Sequence, residues 1–435
     1  MRLHTSGLQT IQLSSSLERI ETYAFAHTPA LTALSLPTGL KHLGTNVLEQ
    51  SGVTQLTVPA SVDSYGYTPL ENSLVENLTF ESGTLQLANS VCYGARQLRS
   101  VTIPDTITQI GFRAFMDCES LTQISIPDSV TSIGESAFES SGLLSLTLPS
   151  SLVSSGSNIL SGNTGVKELV IPAALSEVTS SFSYYDSQGM LNGSAVERVT
   201  FAPGTTIILK VCSNDKDLTQ VTIPDGVTAI DSLAFYGCSA LTGINLPDGL
   251  RTIGSNAFVG TGLPPRLYLT QSGIILNPDE RVSMKAYLLP ASTEIAQTGW
   301  TVSREGLLTL KDGTLTASAP GGAFLTVTSS DLSASVPVII RSASSFQLPA
   351  ALTDIEEEAF EGVPLIQVRV PDRTVRIGAH AFRSTALKVV ILPDSVTEID
   401  ETAFAGCEGF GFICQSDNAA AAFARAHQIP FAIGE

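Results

Sequence analysis

The chain has 435 residues, of which 43% are hydrophobic and 15% are charged. A chain of this length can bury a large core. Its charge is acidic, with 41 Asp and Glu residues against 23 Lys and Arg, a formal net charge of −18 at pH 7. Binding of a nucleic-acid backbone needs clustered Lys and Arg, so this balance argues against a nucleic-acid partner. The acidic charge keeps an extended protein soluble or, as the alternative, forms a patch that steers a ligand.

One phrase recurs along the chain at a fixed interval. An apolar residue and proline come first, followed by an Ile-Gly pair, an Ala-Phe pair and, in several copies, Cys-x-x-Leu. The step from Ile103 to Ile126 is 23 residues, and so is the step from Ile223 to Leu246. Self-similarity at this period indicates a solenoid, because it falls in the leucine-rich-repeat range of roughly 20–29 residues. A solenoid exposes a long surface, so binding is the first hypothesis for its function.

A single repeat shows how the fold is encoded. Residues 121–126 alternate apolar and polar side chains, which predicts a short half-buried strand that Pro127 ends. Gly134 is expected at a tight bend, and the apolar side chains around it are expected to point into the stack: Val130, Ile133, Ala137 and Phe138. No repeat can bury this apolar set alone, so neighbouring repeats must cover it.

The outward residues of the predicted parallel strands are short and polar. This polar strand face is a candidate ligand surface, and the contact residues that we select on it are Gln123, Ser125, Gln220, Thr222 and Asn245.

About fourteen repeats follow from the recurring phrase, in two runs. We therefore predict three domains: a repeat solenoid at residues 1–263, a β-sandwich at 264–343, and further repeats with a capping helix at 344–435. The fold class is mainly β with short helical turns, arranged as a curved solenoid that the sandwich interrupts.

Two repeats are predicted to carry extra length, at residues 63–69 and 180–189, and both are rich in tyrosine. Insertions in solenoids form loops, and loops on a rigid scaffold often carry recognition. Tyrosine supplies contact area at low entropic cost. We therefore select Tyr65, Tyr67, Tyr184 and Tyr185 as candidate ligand contacts, the alternative being that these rings pack on the neighbouring repeat.

Between Leu267 and Arg341 the repeat phrase is absent. Strand runs separated by turn residues, at roughly 8–12-residue spacing, predict a small sandwich with Trp300 as its core anchor. After Cys407, a strand at residues 410–414 precedes an Ala-rich stretch at 418–427. This stretch predicts a helix that Asp417 caps and that closes the open end of the core.

The sequence shows no catalytic or metal-binding motif. The five histidines lack metal-ligand spacing, and no phosphate-binding loop, Cys-x-x-Cys pair or nucleophile elbow is present. We therefore predict a protein that is not an enzyme and has no cofactor and no metal. The six cysteines are either buried free thiols, as we expect for Cys118, Cys238 and Cys407 in the stack, or partners in disulfides.

The phrase Ile-Pro-Asp-Ser-Val-x-x-Ile-Gly-x-x-Ala-Phe-x-x-Cys-x-x-Leu resembles the BspA-like (Treponema-type) leucine-rich repeats. It is nearly complete at residues 103–121, 126–143, 223–241 and 392–407. The likeness covers most of residues 11–263 and 345–407, although the repeats near 63–95 and 152–215 lack the Ala-Phe pair. Such repeats occur on bacterial surface and secreted proteins, some of which are associated with adhesion to host components.

A second resemblance covers residues 267–341, which are similar to bacterial immunoglobulin-like domains of group two, spacers in surface proteins. It rests on Trp300 and on the runs at 313–317 and 321–327. Together the resemblances imply a non-catalytic protein outside a bacterial cell that binds an extracellular protein or glycan. The alternative is a structural stalk without a ligand of its own.

The resemblance also bears on location. No hydrophobic signal precedes Arg2 and no apolar run reaches the length of a membrane span, so no membrane insertion is expected within this sequence. The implied export therefore suggests a leader upstream of Met1, and a cytosolic protein is the alternative.

Overall fold

The structure, a computed structural model, describes residues 7–179, 188–295, 299–311, 313–342 and 345–434. The chain divides into two compact units: Met1–Pro264 with Pro290–Ser292, and Pro265–Leu289 with Thr293–Glu435. The described residues are almost entirely strands and turns, with a single helix. The prediction of a mainly β repeat architecture is confirmed, and the second unit contains both the non-repeat segment and the C-terminal repeats.

Each repeat of the first unit contributes up to two short strands, and all of them pair in parallel. The first strands, which precede the proline, are β3 (Gln55–Val58), β5 (Asn77–Phe80), β7 (Ser100–Thr102), β11 (Glu168–Ile171), β13 (Arg198–Phe201) and β15 (Gln220–Thr222). The second strands are β1 (Arg19–Ile20), β2 (His42–Leu43), β4 (Ser64–Tyr65), β6 (Gln86–Leu87), β8 (Gln109–Ile110), β9 (Ser132–Ile133), β10 (Ser154–Gly156), β12 (Glu177–Thr179), β14 (Ile207–Ile208), β16 (Ala229–Ile230) and β17 (Thr252–Ile253). The sequence did not predict the second strands, because two residues are too few to show an alternating pattern.

The first strands form two separate sheets, β3-β5-β7 and β11-β13-β15. The strand predicted at residues 121–126 lies between them and is not formed, so this prediction is wrong. One backbone bond still links that segment to the next repeat, from the Leu144 amide to the Thr122 carbonyl at 3.0 Å. More exposed and less exposed side chains do alternate along this segment. A β-strand also needs hydrogen bonds to a neighbouring strand, and the sequence of one repeat cannot specify that pairing.

The core of the first unit is a column of buried apolar side chains at repeat spacing. Val130, Ile133, Ala137 and Phe138 are all buried, as predicted. The rings of Phe115 and Phe138 stack with centroids 5.6 Å apart and planes 2° from parallel. Burial of such rings and their offset stacking stabilise the contact between neighbouring repeats.

Gly134 does lie at a bend, and the reason for glycine is close approach. A Cβ added at Gly134 would lie 2.5 Å from the amide nitrogen of Phe112 in the preceding repeat, and one at Gly156 would lie 2.2 Å from that of Glu135. A side chain at either position would therefore push two repeats apart. The small residue sets the distance at which the backbones stack.

The register between repeats corrects one of the two predicted insertions. Leu43 pairs with Tyr65, and the Val47 amide bonds to the Pro69 carbonyl, so residues 63–69 keep an ordinary 22-residue step and contain no insertion. The other prediction holds in length. Ser154 pairs with Glu177, 23 residues on, whereas the Ile159 amide bonds to the carbonyl of Met190, 31 residues on.

The repeats of the second unit form two parallel sheets. Their first strands are β28 (Phe346–Gln347), β30 (Gln367–Arg369), β32 (Val389–Leu392), β34 (Gly411–Cys414) and β35 (Phe431–Ile433), and their second strands are β29 (Asp354–Ile355), β31 (Arg376–Ile377) and β33 (Glu398–Ile399). Helix α1 (Ala419–Ala426) follows β34, and its Ala420, Ala421 and Ala424 complete the repeat core. The predicted closing helix is therefore confirmed.

The N-cap of α1 differs from the prediction by one residue. The Asn418 side chain, not that of Asp417, accepts the hydrogen bond from the Ala421 amide, at 3.1 Å. Asp417 instead pairs with Arg425 in the last turn of the helix. Both residues suit the cap chemically, so the sequence alone could not choose between them.

The described residues of the non-repeat segment form ten strands, paired antiparallel except where β19 lies parallel to β27. They are β18 (Arg266–Leu269), β19 (Ile274–Leu276), β20 (Arg281–Ser283), β21 (Ala286–Leu289), β22 (Thr293–Glu294), β23 (Trp300–Val302), β24 (Leu308–Lys311), β25 (Thr314–Ala317), β26 (Gly321–Ser329) and β27 (Leu332–Ile340). Leu315, Leu325 and Val338 are fully buried at the centre of its core. Trp300 is only partly buried at the edge of that core, so its predicted role as the anchor is wrong.

The non-repeat segment covers the outward side of the first strands within the second unit. Val389, Ile391 and Ile413 are outward residues of β32 and β34, and they form one buried cluster with Ile339 of β27 and Ala432 of β35. The Gly322 amide also donates to the Gly409 carbonyl at 3.0 Å. This sheet face is therefore apolar and buried.

Candidate functional site: the exposed faces of the first unit

Most outward residues of the first strands in the first unit are exposed and polar, in contrast to those of β32 and β34 in the second unit. Their inward neighbours, such as Leu56, Leu78 and Val199, are buried. We call this surface the strand face. Its exposed residues include Gln55, Thr57, Asn77, Ser100, Thr102, Gln123, Ser125, Thr147, Thr200, Gln220, Thr222 and Asn245. All five candidates that the sequence placed on this face are therefore exposed.

Two of those five candidates line a groove, which we call the strand groove. Gln220 and Thr222 border a cavity of about 460 Å³ between residues 146–148, 168–170 and 198–200. Val170 lies in this cavity with 58% of its surface exposed. Arg198 and Glu168 form an ion pair at its rim. The other three candidates, Gln123, Ser125 and Asn245, lie elsewhere on the strand face.

A second groove, which we call the tyrosine groove, opens on the side of the second strands. It has a volume of about 710 Å³ and is lined by residues 63 and 65–67, 86–90, 109 and 111–112. Tyr65 and Tyr67 are both in its lining, so the structure brings this predicted pair to one cavity. The sequence missed Asn89 and Phe112, which share the cavity because they occupy the position of Tyr67 one and two repeats later.

The two tyrosines have different environments. Tyr67 is outward, with 71% of its surface exposed. Tyr65 pairs with Leu43 at an inward position of the second strands, and its hydroxyl is buried without a hydrogen-bond partner. Burial, followed by the proximity of Cys92 and Asp63, raises the pKa of Tyr65 above its usual value of 10.0. Tyr65 is thus largely a packing residue, whereas Tyr67 is available to a ligand.

The other candidate pair, Tyr184 and Tyr185, lies outside the described residues. The extra residues that lengthen this repeat fall between Thr179 and Met190, the region that contains both tyrosines.

The stack contains a column of buried polar residues, three positions after the Phe position of each repeat. Its members include Thr28, Ser51, Ser73, Cys118, Ser141, Asn163, Ser194, Asp215 and Cys238. Asn163 shows its role: the Oδ1 atom accepts from the Gly165 and Val166 amides at 3.1 and 3.0 Å, and Nδ2 donates to the Ser141 carbonyl at 2.8 Å. These side chains stabilise the turn and join neighbouring repeats.

Asp215 is the one member of this column that carries an ionisable carboxyl group. It is fully buried, and burial raises its pKa from the usual 3.8 to about 8 even though the Ser194 hydroxyl bonds to it at 3.1 Å. The Asp217 amide donates to its other oxygen at 3.3 Å. A carboxyl with this pKa inside the stack is out of reach of a substrate, so its role is structural.

All six cysteines carry free thiols, which decides between the two alternatives that the sequence left open. The Cys118 thiol donates to the Cys92 carbonyl at 3.2 Å, and the Cys238 thiol donates to the Cys212 carbonyl at 3.0 Å. Burial raises the pKa of all four of these thiols. They act as small packing groups.

One cluster among the described residues brings three groups of metal-ligand type together. Glu357, Glu358 and His380 offer ligand atoms that all lie within 4.8 Å of one another. Glu358 and His380 occupy equivalent turns of consecutive repeats, so their 22-residue separation in sequence concealed the proximity. Both glutamates are exposed, as carboxylates without a metal commonly are.

The family model described as the BspA type leucine rich repeat region matches residues 3–95, 85–199, 205–272 and 340–420, in six copies. These ranges cover most of the chain. The chain belongs to the BspA-type leucine-rich repeat family. Membership explains the repeat period and the Phe column, and it is consistent with a non-catalytic binding or structural role, because the matched family is a repeat region and not a catalytic domain.

Solved bacterial leucine-rich repeat structures are similar to this BspA-type chain. A leucine-rich repeat protein from Bacteroides ovatus has 23% identity and a TM-score of 0.46, over 63% of this chain and 74% of that one. A leucine rich cell surface protein from Faecalibacterium prausnitzii has 22% identity and a TM-score of 0.25, over 78% and 81%. The pneumococcal vaccine antigen PcpA has 15% identity and a TM-score of 0.34, over 98% and 91%.

No curated protein matches the chain. Within the part of the chain that the structure describes, no helix is both long and apolar enough to cross a membrane.

Proposed function

We propose that this chain is a non-catalytic binding protein outside a bacterial cell, and that it mediates adhesion to a host or neighbouring-cell protein or glycan. The contrast between the two units carries the proposal. In the second unit the outward residues of β32 and β34 are apolar and buried, whereas in the first unit the outward residues of the first strands are mostly polar and exposed and border the strand groove. The tyrosine groove is a second cavity, on the side of the second strands. A long, rigid, exposed polar surface suits protein or glycan contact.

The positions of the groups with shifted pKa values support binding over catalysis. Enzymes place such groups in clefts, where substrate can reach them. Among the described residues, Asp215 and Cys118 have strongly raised pKa values and lie inside the stack. Tyr65 also has a raised pKa and lines the tyrosine groove, but its hydroxyl is buried. Family membership supports a location at the cell surface or in the medium.

We further propose that residues 264–343 are an immunoglobulin-like domain of group two that acts as a spacer between the repeat domains at 1–263 and 344–435. Its antiparallel strands and its own apolar core support this assignment. The same observation favours a second function, a structural stalk without a ligand, because a segment that covers a sheet face stiffens the array rather than exposing it.

A binding screen tests the proposal and separates it from the stalk. The purified chain is passed over immobilised matrix proteins, mucins and a glycan array, together with two double variants. Tyr184→Ala/Tyr185→Ala removes the predicted loop tyrosines, and Gln220→Ala/Thr222→Ala alters the strand groove. Saturable binding that one variant loses supports the adhesin and locates its site. Absence of binding to every surface would refute it in favour of the stalk.

A further inference from the structure

The tyrosine groove coincides with a break between two repeats. The second strands form one sheet, β1-β2-β4, that ends at Tyr65, and another, β6-β8-β9-β10-β12, that begins at Gln86. In the adjoining repeats the second strands are joined by regular bonds, such as the Gly66 amide to the Leu43 carbonyl at 2.8 Å and the Gly111 amide to the Leu87 carbonyl at 2.9 Å. A third sheet, β14-β16-β17, follows the lengthened repeat. Among the described residues, no corresponding bond joins the Ala88 amide to the Tyr65 carbonyl.

The break is confined to one side of the stack. On the opposite side the first strands of the same repeats stay paired, since Leu56 pairs with Leu78 and Leu78 with Val101. The repeats therefore separate as a wedge that is open toward the second strands.

The wedge combines hydrogen-bonding groups with aromatic surfaces. The main-chain groups left open are the Ala88 amide and the Tyr65 carbonyl, and both residues line the cavity. Gln86 and Gln109 are paired in register with exposed side chains, and the exposed Asn89 lies between the positions of Tyr67 and Phe112. The Asn89 Oδ1 accepts from the Phe112 amide at 2.9 Å, so this side chain offers its Nδ2 to a ligand. Amide side chains offer both donors and acceptors, and aromatic rings offer an apolar face.

The charges in the groove favour an uncharged ligand. Asp63 contributes one negative charge at the rim, and the Arg113 guanidinium lies 4.6 Å from the centroid of the Phe112 ring, where it is engaged with that ring. The chain as a whole carries a formal charge of −18, which repels anionic glycans at a distance.

From these observations we propose that the tyrosine groove binds a neutral carbohydrate. The rings of Tyr67 and Phe112 contact the apolar faces of the sugar, while the side chains of Gln86, Asn89 and Gln109 bond its hydroxyls. A sugar hydroxyl can donate one hydrogen bond and accept another. It can therefore donate to the Tyr65 carbonyl or accept from the Ala88 amide. This inference rests on the proposed binding function and specifies its ligand class and its site.

The test uses the full chain on an array of neutral, sialylated and sulfated glycans, with affinities then measured in solution. Tyr67→Ala and Asn89→Ala should each weaken binding of a neutral glycan about tenfold, as expected for a lost ring contact or hydrogen bond. Gln97→Ala, an exposed amide side chain outside both grooves, is the matched control and should leave binding unchanged. Thermal unfolding of each variant shows whether its fold is retained, and Tyr67→Phe should keep most of the affinity.

The outcomes separate this inference from the proposed function. Neutral-glycan binding that Tyr67→Ala and Asn89→Ala leave intact would overturn the assigned site. Binding to a protein surface only, or to sulfated or sialylated glycans only, would overturn the ligand class and leave the adhesin standing. Binding to nothing would overturn both.

Discussion

Asp215 gives the sharpest stability prediction, because its carboxyl group is fully buried. Its pKa rises from 3.8 to about 8 on folding, so between these values the folded chain holds a proton that the unfolded chain has lost. The contribution of this group to stability is therefore fully present below pH 4 and is lost as the pH rises toward 8. At 1.36 kcal/mol per pKa unit, the loss between pH 4 and pH 7 is on the order of 4 kcal/mol.

The variant Asp215→Asn removes the titration and keeps the shape. Asn163 shows that the amide fits this column, because its Oδ1 accepts two turn amides and its Nδ2 donates to Ser141. We expect Asp215→Asn and the native chain to be similarly stable at pH 4. At pH 8 the variant should be the more stable by several kcal/mol, since the native carboxyl then ionises in a buried site.

The assay is urea unfolding of both proteins at pH 4, 5, 6, 7 and 8, read as the difference between their midpoints. Amide hydrogen exchange at Leu218 reports the same change locally, which matters because a long repeat array need not unfold in one step. Asp225→Asn, at an exposed aspartate that does not contact Asp215, is the control and should show no such trend. A midpoint difference that stays constant across this pH range, or that favours the native chain as the pH rises, would refute the reasoning.

Three further predictions concern the packing of the repeats. Phe138→Ala should cost about 3–5 kcal/mol in urea unfolding, and a cost below 1 kcal/mol would contradict a close-packed Phe column. Gly134→Ala should lower the melting temperature, because its Cβ would lie 2.5 Å from the Phe112 amide nitrogen. Gly243→Ala is the control and should be neutral or slightly stabilising, because a Cβ there would have no atom within 4 Å. Equal effects of the two variants would argue against the steric account. A thiol reagent should label the half-buried Cys407 before the thiols of the stack, and labelling of the latter in the folded chain would contradict their burial. These stack thiols are Cys92, Cys118, Cys212 and Cys238.

The sequence predicted those features that repeat from copy to copy. The period, the inward Phe and Ile positions, Gly134 at its bend and the closing helix all follow from a phrase that returns many times, so each copy supports the others. The second strands escaped prediction because two residues carry no periodicity. The strand expected at residues 121–126 is missing, because pairing depends on the neighbouring repeats and not on local alternation.

The candidate site was harder to predict, because its residues come from different repeats. Tyr67 could be selected from its local composition, but Asn89 and Phe112 join it only through the stacking register. Glu358 and His380 meet for the same reason. The burial of the Tyr65 hydroxyl could not be predicted, because its inward position depends on its pairing with Leu43, which the apparent insertion at residues 63–69 obscured.

The most direct test of the central claim is a binding isotherm for the purified chain on immobilised glycans and matrix proteins, measured beside Tyr67→Ala and Gln220→Ala/Thr222→Ala. We predict saturable binding to at least one of these surfaces. The affinity should fall about tenfold in the variant that alters the groove used by the ligand, and it should be unchanged in the variant that alters the other groove. Binding that neither change affects, or no binding to any surface, would contradict a binding role for the exposed faces of the first unit.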